Sequence, residues 1–244
     1  MSKKIYEKST RELMREYSKL LKPGERIKRA DVRRWFQTNY QKIKQGTIDA
    51  HITRMTTNAP SRTYYSAAND GSDDVFFQLP DGTLRLYDGT ADVSPIYEKS
   101  EREISEINND DVEDAKEFAY EHDLRDFLAR NLEIIEGGLV LYEDEGITGI
   151  EYDAGGRYID ILAIDNNGAY VVIELKVSRG YDRVIGQLLR YIGWVKANLA
   201  ENNQLVRGII VARSISEDLK IACSQVSGIE LFEYKLSVAL SKVQ

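Results

Sequence analysis

The stretch from Tyr158 to Lys176, YIDILAIDNNGAYVVIELK, constrains this chain most, because it sets two carboxylates and a lysine among residues that otherwise read as buried strand. The apolar run from Tyr158 to Ile164 predicts one strand, and the run from Ala169 to Lys176 predicts a second. Between them, Asp165-Asn166-Asn167-Gly168 supplies the residue types that tolerate tight turns and positive φ, so the two strands form a hairpin. A turn centred near Asn166 and Asn167 makes the numbers of paired residues sum to about 333 or 334. Asp160 then lies opposite or next to opposite Glu174. Lys176, two residues further on, returns to the same face.

Two carboxylates at that spacing repel, and burial beside Val171, Val172 and Ile173 raises at least one pKa unless a cation sits between them. Oxygen ligands without histidine or thiolate suit Mg2+ or Mn2+, which keep waters available for chemistry. Lys176 would position or deprotonate an attacking water, or neutralise charge on a phosphate. The competing reading is an ordinary surface hairpin, since Glu-x-Lys alone is common. The partner aspartate and the apolar YVVI run weigh against it.

Asp160, Glu174 and Lys176 spell the D…ExK signature of the PD-(D/E)XK nucleases, and the segments YIDILAID, YVVIELK, IGQLLRY and RGIIVA resemble the nuclease domain of the NucS/EndoMS endonucleases. The resemblance covers residues 113 to 235 and implies an α/β fold, a restriction-endonuclease-like mixed sheet flanked by helices. It also implies that Asp160 and Glu174 hold the metal, with the carbonyl of Leu175 as a further ligand, that Lys176 assists the water, and that Gln187 on the next helix belongs to the same motif. The first hundred residues do not resemble the usual amino-terminal domain of that family.

The net charge of −7 speaks against nucleic acid until it is split by position. Residues 1 to 62 carry 16 Lys or Arg against 6 Asp or Glu, which leaves 17 against 34 for the remainder. The basic part also shows three helical patterns. Thr10 to Leu21 places Leu13, Met14, Tyr17, Leu20 and Leu21 on one stripe, Arg29 to Tyr40 turns Val32, Trp35 and Phe36 inward, and Thr47 to Thr57 aligns Ile48, Ile52 and Met55. Two short strands around Pro80-Asp81-Gly82 follow, giving the order of a winged helix-turn-helix. In that arrangement the third helix enters the major groove, bringing Gln45, Thr47, Asp49, His51, Arg54, Thr56 and Thr57 to bases or phosphates, with Arg62 and Tyr64 supporting the wing. A module that mediates protein contacts has the same pattern, and the basic excess favours DNA.

The acidic stretch SEREISEINNDDVED has few apolar residues and reads as part of an exposed linker. The chain therefore divides into a winged-helix-like DNA-binding domain (1–90), a linker (91–112) and a nuclease domain (113–244). The nuclease domain is expected to open with a helix carrying Phe118, Leu124, Phe127 and Leu128, on whose stripe Glu121 also falls, either as a structural acid or near the metal site. A strand from Leu139 to Glu143 and the hairpin form a three-stranded meander, with Gly146 to Gly156 as a loop beside the site. On the long helix from Tyr181 to Leu199, Arg183, Gln187, Arg190 and Tyr191 form a polar and aromatic side, placing Arg183, Arg190 and Tyr191 against DNA; Tyr191 reads equally well as core.

One cysteine excludes an internal disulfide, and two distant histidines speak against zinc. Without a long apolar run or a leader-like start, the chain is expected in the cytoplasm, away from membranes. The function expected is metal-dependent DNA endonuclease, in restriction or repair, from a homodimer. The competing function is a non-catalytic DNA-binding regulator that uses a decayed nuclease domain to dimerise. An RNase or junction resolvase would change only the substrate.

Overall fold

The computed structural model describes residues 5–97, 121–176 and 183–235. Residues 98–120, which hold most of the expected linker and the start of the helix after it, lie outside the described residues.

The N-terminal region begins with α1 (Thr10–Ser18), whose start is fixed by a capping box: the Glu12 amide donates to Ser9 Oγ, and the Ser9 amide donates to the Glu12 carboxylate. Helices α2 (Arg29–Asn39) and α3 (Gln45–Arg54) follow, then a 3-10 turn (Pro60–Tyr64) and an antiparallel hairpin of β1 (Phe76–Gln78) and β2 (Leu84–Leu86). Ile27, just before α2, adds an antiparallel bridge to Leu84. Leu13, Met14, Tyr17, Val32, Phe36, Ile48, Ile52, Phe76 and Leu84 close one small core. Three helices and a hairpin thus occur in the order read from the sequence, with each helix a little shorter at its end.

The remainder is a mixed sheet. β7 (Tyr158–Ile164) and β8 (Tyr170–Lys176) form the expected antiparallel hairpin, and β8 pairs in parallel with β9 (Val206–Ala212), which pairs in parallel with β10 (Ile229–Glu233). Two long parallel neighbours need a crossover, and α5 (Val184–Asn198) supplies it between β8 and β9. Its buried side, Val184, Leu188, Tyr191, Ile192 and Val195, covers one face of the sheet together with α6 (Glu217–Ser224). The other face is covered by α4 (121–130) through Leu124 and Leu128. Helices on both faces explain why β8 is buried from Tyr170 to Leu175.

The expected loop from Gly146 to Gly156 is largely strand. β3 (Val140–Leu141) pairs with the end of β7, β4 (Glu143–Asp144) pairs with β5 (Ile147–Thr148) in a small hairpin of its own, and β6 (Ile150–Asp153) pairs with the start of β7. Tyr152 and Asp153 are buried there, which the glycine punctuation concealed.

The two regions are packed together through α3. Ile48 and Ile52 enter the N-terminal core, whereas Ala50, with Tyr65 from beyond the helix, joins the core beneath α5. At Gly46 a β-carbon would lie 2.5 Å from the Leu199 side chain, so glycine is what permits this approach.

Candidate active site

The register of the β7–β8 hairpin, Ile161 with Ile173 through Ile164 with Tyr170, sets Asp160 directly across from Glu174 by continuation. The backbone ladder between the two strands stops at Ile161, and beyond it Asp160 Oδ2 accepts a hydrogen bond from the Leu175 amide at 2.8 Å. A side chain has replaced the main chain as the link between strands. β8 meanwhile continues along β9 to Lys176, so Glu174 and Lys176 stay on rigid strand.

Glu174 is 0 % exposed, and among the described residues neither of its carboxylate oxygens has a hydrogen bond. The Lys176 ammonium lies 3.2 Å from Oε1 as an ion pair without hydrogen-bond geometry. Burial and the facing Asp160 hold the Glu174 carboxyl well above its ordinary value. Burial also pushes Asp160 up to about 6, against the pull of the Leu175 amide and Lys176. Burial alone would lower Lys176, but Glu174, Glu121 and Asp160 outweigh it and raise its pKa. A buried Glu174 with orphaned oxygens, facing the half-buried Asp160 with one ammonium beside them, is short of positive charge, and a hard cation fits that deficit. Among the described residues no three His, Cys, Asp or Glu side chains converge as a metal site, so a cation here would complete its shell with a backbone carbonyl and water.

Other expected residues gather at the same place. Glu121, half-buried on α4, contributes to the field at Asp160, Glu174 and Lys176. Gln187 is half-buried on α5, and the Tyr191 hydroxyl one turn later is raised by burial and by Glu174. The Arg190 guanidinium lies 5.1 Å from the Tyr191 ring centroid. Arg183 and Arg190 are exposed, but Tyr191 is buried, which corrects its assignment to DNA in favour of core.

The expected recognition helix is the largest correction. His51, Thr57 and Arg62 are 0 % exposed and Arg54 is 5 % exposed, so none of these four side chains is presented to a duplex. The same holds for Asp49 and Thr56. His51 Nε2 lies 3.3 Å from Glu145 Oε2, and Arg54 donates to the carbonyls of Glu145 and Ser66 at 2.6 and 2.8 Å. Arg62 pairs with Asp74 and lies over the Tyr97 ring, while Thr57 Oγ1 donates to the Phe76 carbonyl. Gln45 and Thr47 are half-buried, and Thr47 lines a cavity of about 660 Å3 shared with Lys44, Tyr142, Asp144 and Glu201. That cavity touches none of Asp160, Glu174 or Lys176.

The basic excess has the same explanation. Arg11, Arg15 and Arg54 converge on the buried Asp73, Arg33 pairs with Asp49, and Arg29 Nη1 lies 2.6 Å from Asp153 Oδ2 on β6. Much of the positive charge is therefore engaged inside the protein. Sequence reasoning also missed the ion pair of the buried Arg125 with the half-buried Glu151, beside the carboxylates. A glutamate in a glycine-punctuated stretch gives no signal of such a partner.

With this geometry in place, comparison with known proteins gives two matches along the chain. Residues 9–86 match a family described as Domain of unknown function (DUF7669), and residues 120–235 match the Endonuclease NucS C-terminal domain. The C-terminal part is thus similar in sequence to the C-terminal domain of NucS endonucleases. Endonuclease NucS 2 of Halobacterium salinarum is 33% identical over 118 residues, covering 47% of this chain and 43% of that protein. Endonuclease NucS of Pyrococcus abyssi is 31% identical over 132 residues, covering 51% and 48%. The chain thus spans less than half the length of these relatives, and the family matched by its N-terminal region is a different one. Among solved structures, EndoMS in apo form aligns with a TM-score of 0.38 and 28% identity over 48% of this chain and 47% of that one. A repair endonuclease from Pyrococcus abyssi aligns with a TM-score of 0.38 and 21% identity, over 63% and 56%. Among the described residues no helix is long and apolar enough to cross a membrane.

Proposed function

We propose that this protein is a metal-dependent DNA endonuclease that hydrolyses phosphodiester bonds at Asp160, Glu174 and Lys176. The observation that carries the reading is the Glu174 carboxylate, fully buried, without a hydrogen bond among the described residues, beside the Lys176 ammonium and facing Asp160 from rigid strand. A protein gains nothing in stability from such a group, and active sites are where that cost is retained. The similarity to NucS endonucleases supports DNA as the substrate and repair as the setting.

Asp160 and Glu174 would hold Mg2+ or Mn2+, with the Leu175 carbonyl as a third ligand. When bound, the ion supplies Lewis-acid polarisation of the phosphate and makes water a better nucleophile. The chain's own residues do the positioning. The Leu175 amide fixes the Asp160 carboxylate. Lys176 offers N–H donors to a phosphate oxygen or to the attacking water. Gln187, half-buried on α5 one turn before Tyr191, orients groups from the α5 side. Arg183 and Arg190, exposed at the start of α5 and along it, meet the phosphate backbone. Two copies acting together would cut both strands of a duplex.

The test is incubation with Mg2+ or Mn2+ and a panel of mismatched, methylated, single-stranded and branched DNA, with mapping of the ends. Cleavage by the wild type, lost in Asp160→Ala, Glu174→Ala and Lys176→Ala while DNA binding persists, is the expected result. A Glu174→Ala protein that cuts at the wild-type rate would remove the assignment. DNA binding by a wild type that cuts nothing in the panel would favour the non-catalytic regulator.

A further inference from the structure

Glu151 gathers three parts of the molecule at one point. Its Oε1 accepts from Arg125 Nη1 at 2.5 Å, its Oε2 accepts from Ser61 Oγ at 3.0 Å, and its carbonyl accepts from the Tyr65 hydroxyl at 2.7 Å. Arg125, only 3% exposed, also donates from Nη2 to the Tyr64 hydroxyl at 2.6 Å and lies 4.9 Å from that ring centroid. Ser61 and Tyr64 belong to the N-terminal region, Arg125 to α4 and Glu151 to β6. The backbone of Glu151 has φ of 45°, a left-handed conformation that a glutamate keeps only where its surroundings hold it.

This cluster adjoins the carboxylates through the sheet. Pairing of Ile150 with Ile161 and of Tyr152 with Ile159 sets Glu151 on β6 level with Asp160 on β7, and Glu174 on β8 is level with Asp160 on its other side. Arg125 lies one helical turn after Glu121, on the same side of α4. An apolar helix face sets the distance of a helix from a sheet but holds its rotation and axial position loosely. A forked, charge-assisted guanidinium contact fixes both.

We propose that Ser61, Tyr64, Arg125 and Glu151 are positioning residues of the nuclease: through this clamp the N-terminal region sets α4, and with it Glu121, against Asp160 and Lys176. The inference rests on the nuclease reading above and gives the N-terminal region a role in completing the active site. The field at Asp160, to which both Glu121 and Arg125 contribute, is consistent with that placement.

The full-length protein tests it, with Mn2+ and a DNA that the wild type cuts. Tyr64→Phe, Ser61→Ala and Glu151→Asn each remove part of the clamp. Asparagine accepts positive φ more readily than glutamate and is too short to span Arg125 and Ser61, so Glu151→Asn keeps the backbone and loses the contacts. The single-turnover rate at saturating DNA is expected to fall about 10-fold or more in Glu151→Asn, with KM for DNA unchanged and the near-ultraviolet circular dichroism of the folded protein retained. In a Glu121→Gln background, Glu151→Asn is expected to cost no further rate, because the clamp acts through Glu121. An undiminished single-turnover rate in Glu151→Asn and Tyr64→Phe, or losses that multiply in the double variant, would overturn the proposal while leaving the nuclease reading intact. If Glu151→Asn does not fold, the paired change of Tyr64 to Phe and Ser61 to Ala carries the same comparison. A wild type that cuts no DNA brings down the nuclease reading and this inference together.

Discussion

Arg54 Nη1 donates to the backbone carbonyl of Glu145 at 2.6 Å, joining the last turn of α3 to the turn between β4 and β5. The same guanidinium reaches Asp73 and the Ser66 carbonyl, so all of its hydrogen bonds end within the protein. A helix expected to read DNA is thereby an internal joint between the two regions.

Arg54→Ala should therefore act on stability and leave DNA preference alone. Removing one partner of a buried ion pair costs roughly 3 kcal/mol, softened here because Arg11 and Arg15 also face Asp73. Denaturant unfolding of the variant beside the wild type measures it. A changed preference across a DNA panel, at unchanged stability, would restore the recognition helix.

Glu174→Leu should stabilise the metal-free protein while abolishing cleavage. The substitution removes a carboxylate that among the described residues is buried without a hydrogen bond, a group that costs about 1–3 kcal/mol, and the Lys176 ammonium it leaves is part-exposed and can be hydrated. Thermal unfolding in EDTA should show the variant melting above the wild type. Mn2+ should raise the wild-type melting temperature and leave the variant's unchanged. A wild type indifferent to Mn2+ would count against the carboxylate pair as its site.

Asp49 gives a pH dependence of known sign. Burial pushes its pKa up to about 6 from the ordinary 3.8, despite the Arg33 guanidinium at 2.6 Å. Between those values the folded protein holds a proton that the unfolded chain has released, so this group removes stability as pH rises through the window. Above pH 6 the loss is complete. Asp49→Asn should lack that slope, so variant and wild type diverge by roughly 2–3 kcal/mol between pH 4 and 7. Unfolding curves across the range check it, and parallel curves would contradict the assignment.

Deleting residues 1–95 should leave a chain that folds poorly. The truncation takes Ala50 and Tyr65 out of the core beneath α5 and removes Arg29 and Thr53 from the buried Asp153. Near-ultraviolet circular dichroism and sedimentation of the truncated protein are expected to show loss of fixed packing or aggregation, with no cleavage. A folded, active fragment would show that the two regions are separable after all.

The hairpin from Tyr158 to Lys176 was legible in the sequence because its causes are local. Alternation at a period of two and a turn of Asp-Asn-Asn-Gly fix a register by themselves, and the observed pairing of Ile161 with Ile173 falls at the expected sum. Helix existence in the N-terminal region was legible for the same reason, since Leu13, Met14 and Tyr17, or Val32 and Phe36, recur at helical spacing. What covers each helix was not. The polar side of α3 has the composition of a solvated or DNA-facing surface, and only the distant Glu145 and Asp153 turn it inward. Net charge shares that ambiguity, because an arginine reads alike whether it meets a phosphate or a buried aspartate such as Asp73. The strand β6, the left-handed Glu151 and its clamp on Arg125 depend on partners tens of residues away, whose pairing is set by the packed sheet and by no local preference. Local periodicity and turn chemistry thus determined the elements and the carboxylate pair, while burial between elements decided which charges face substrate and which hold the protein together.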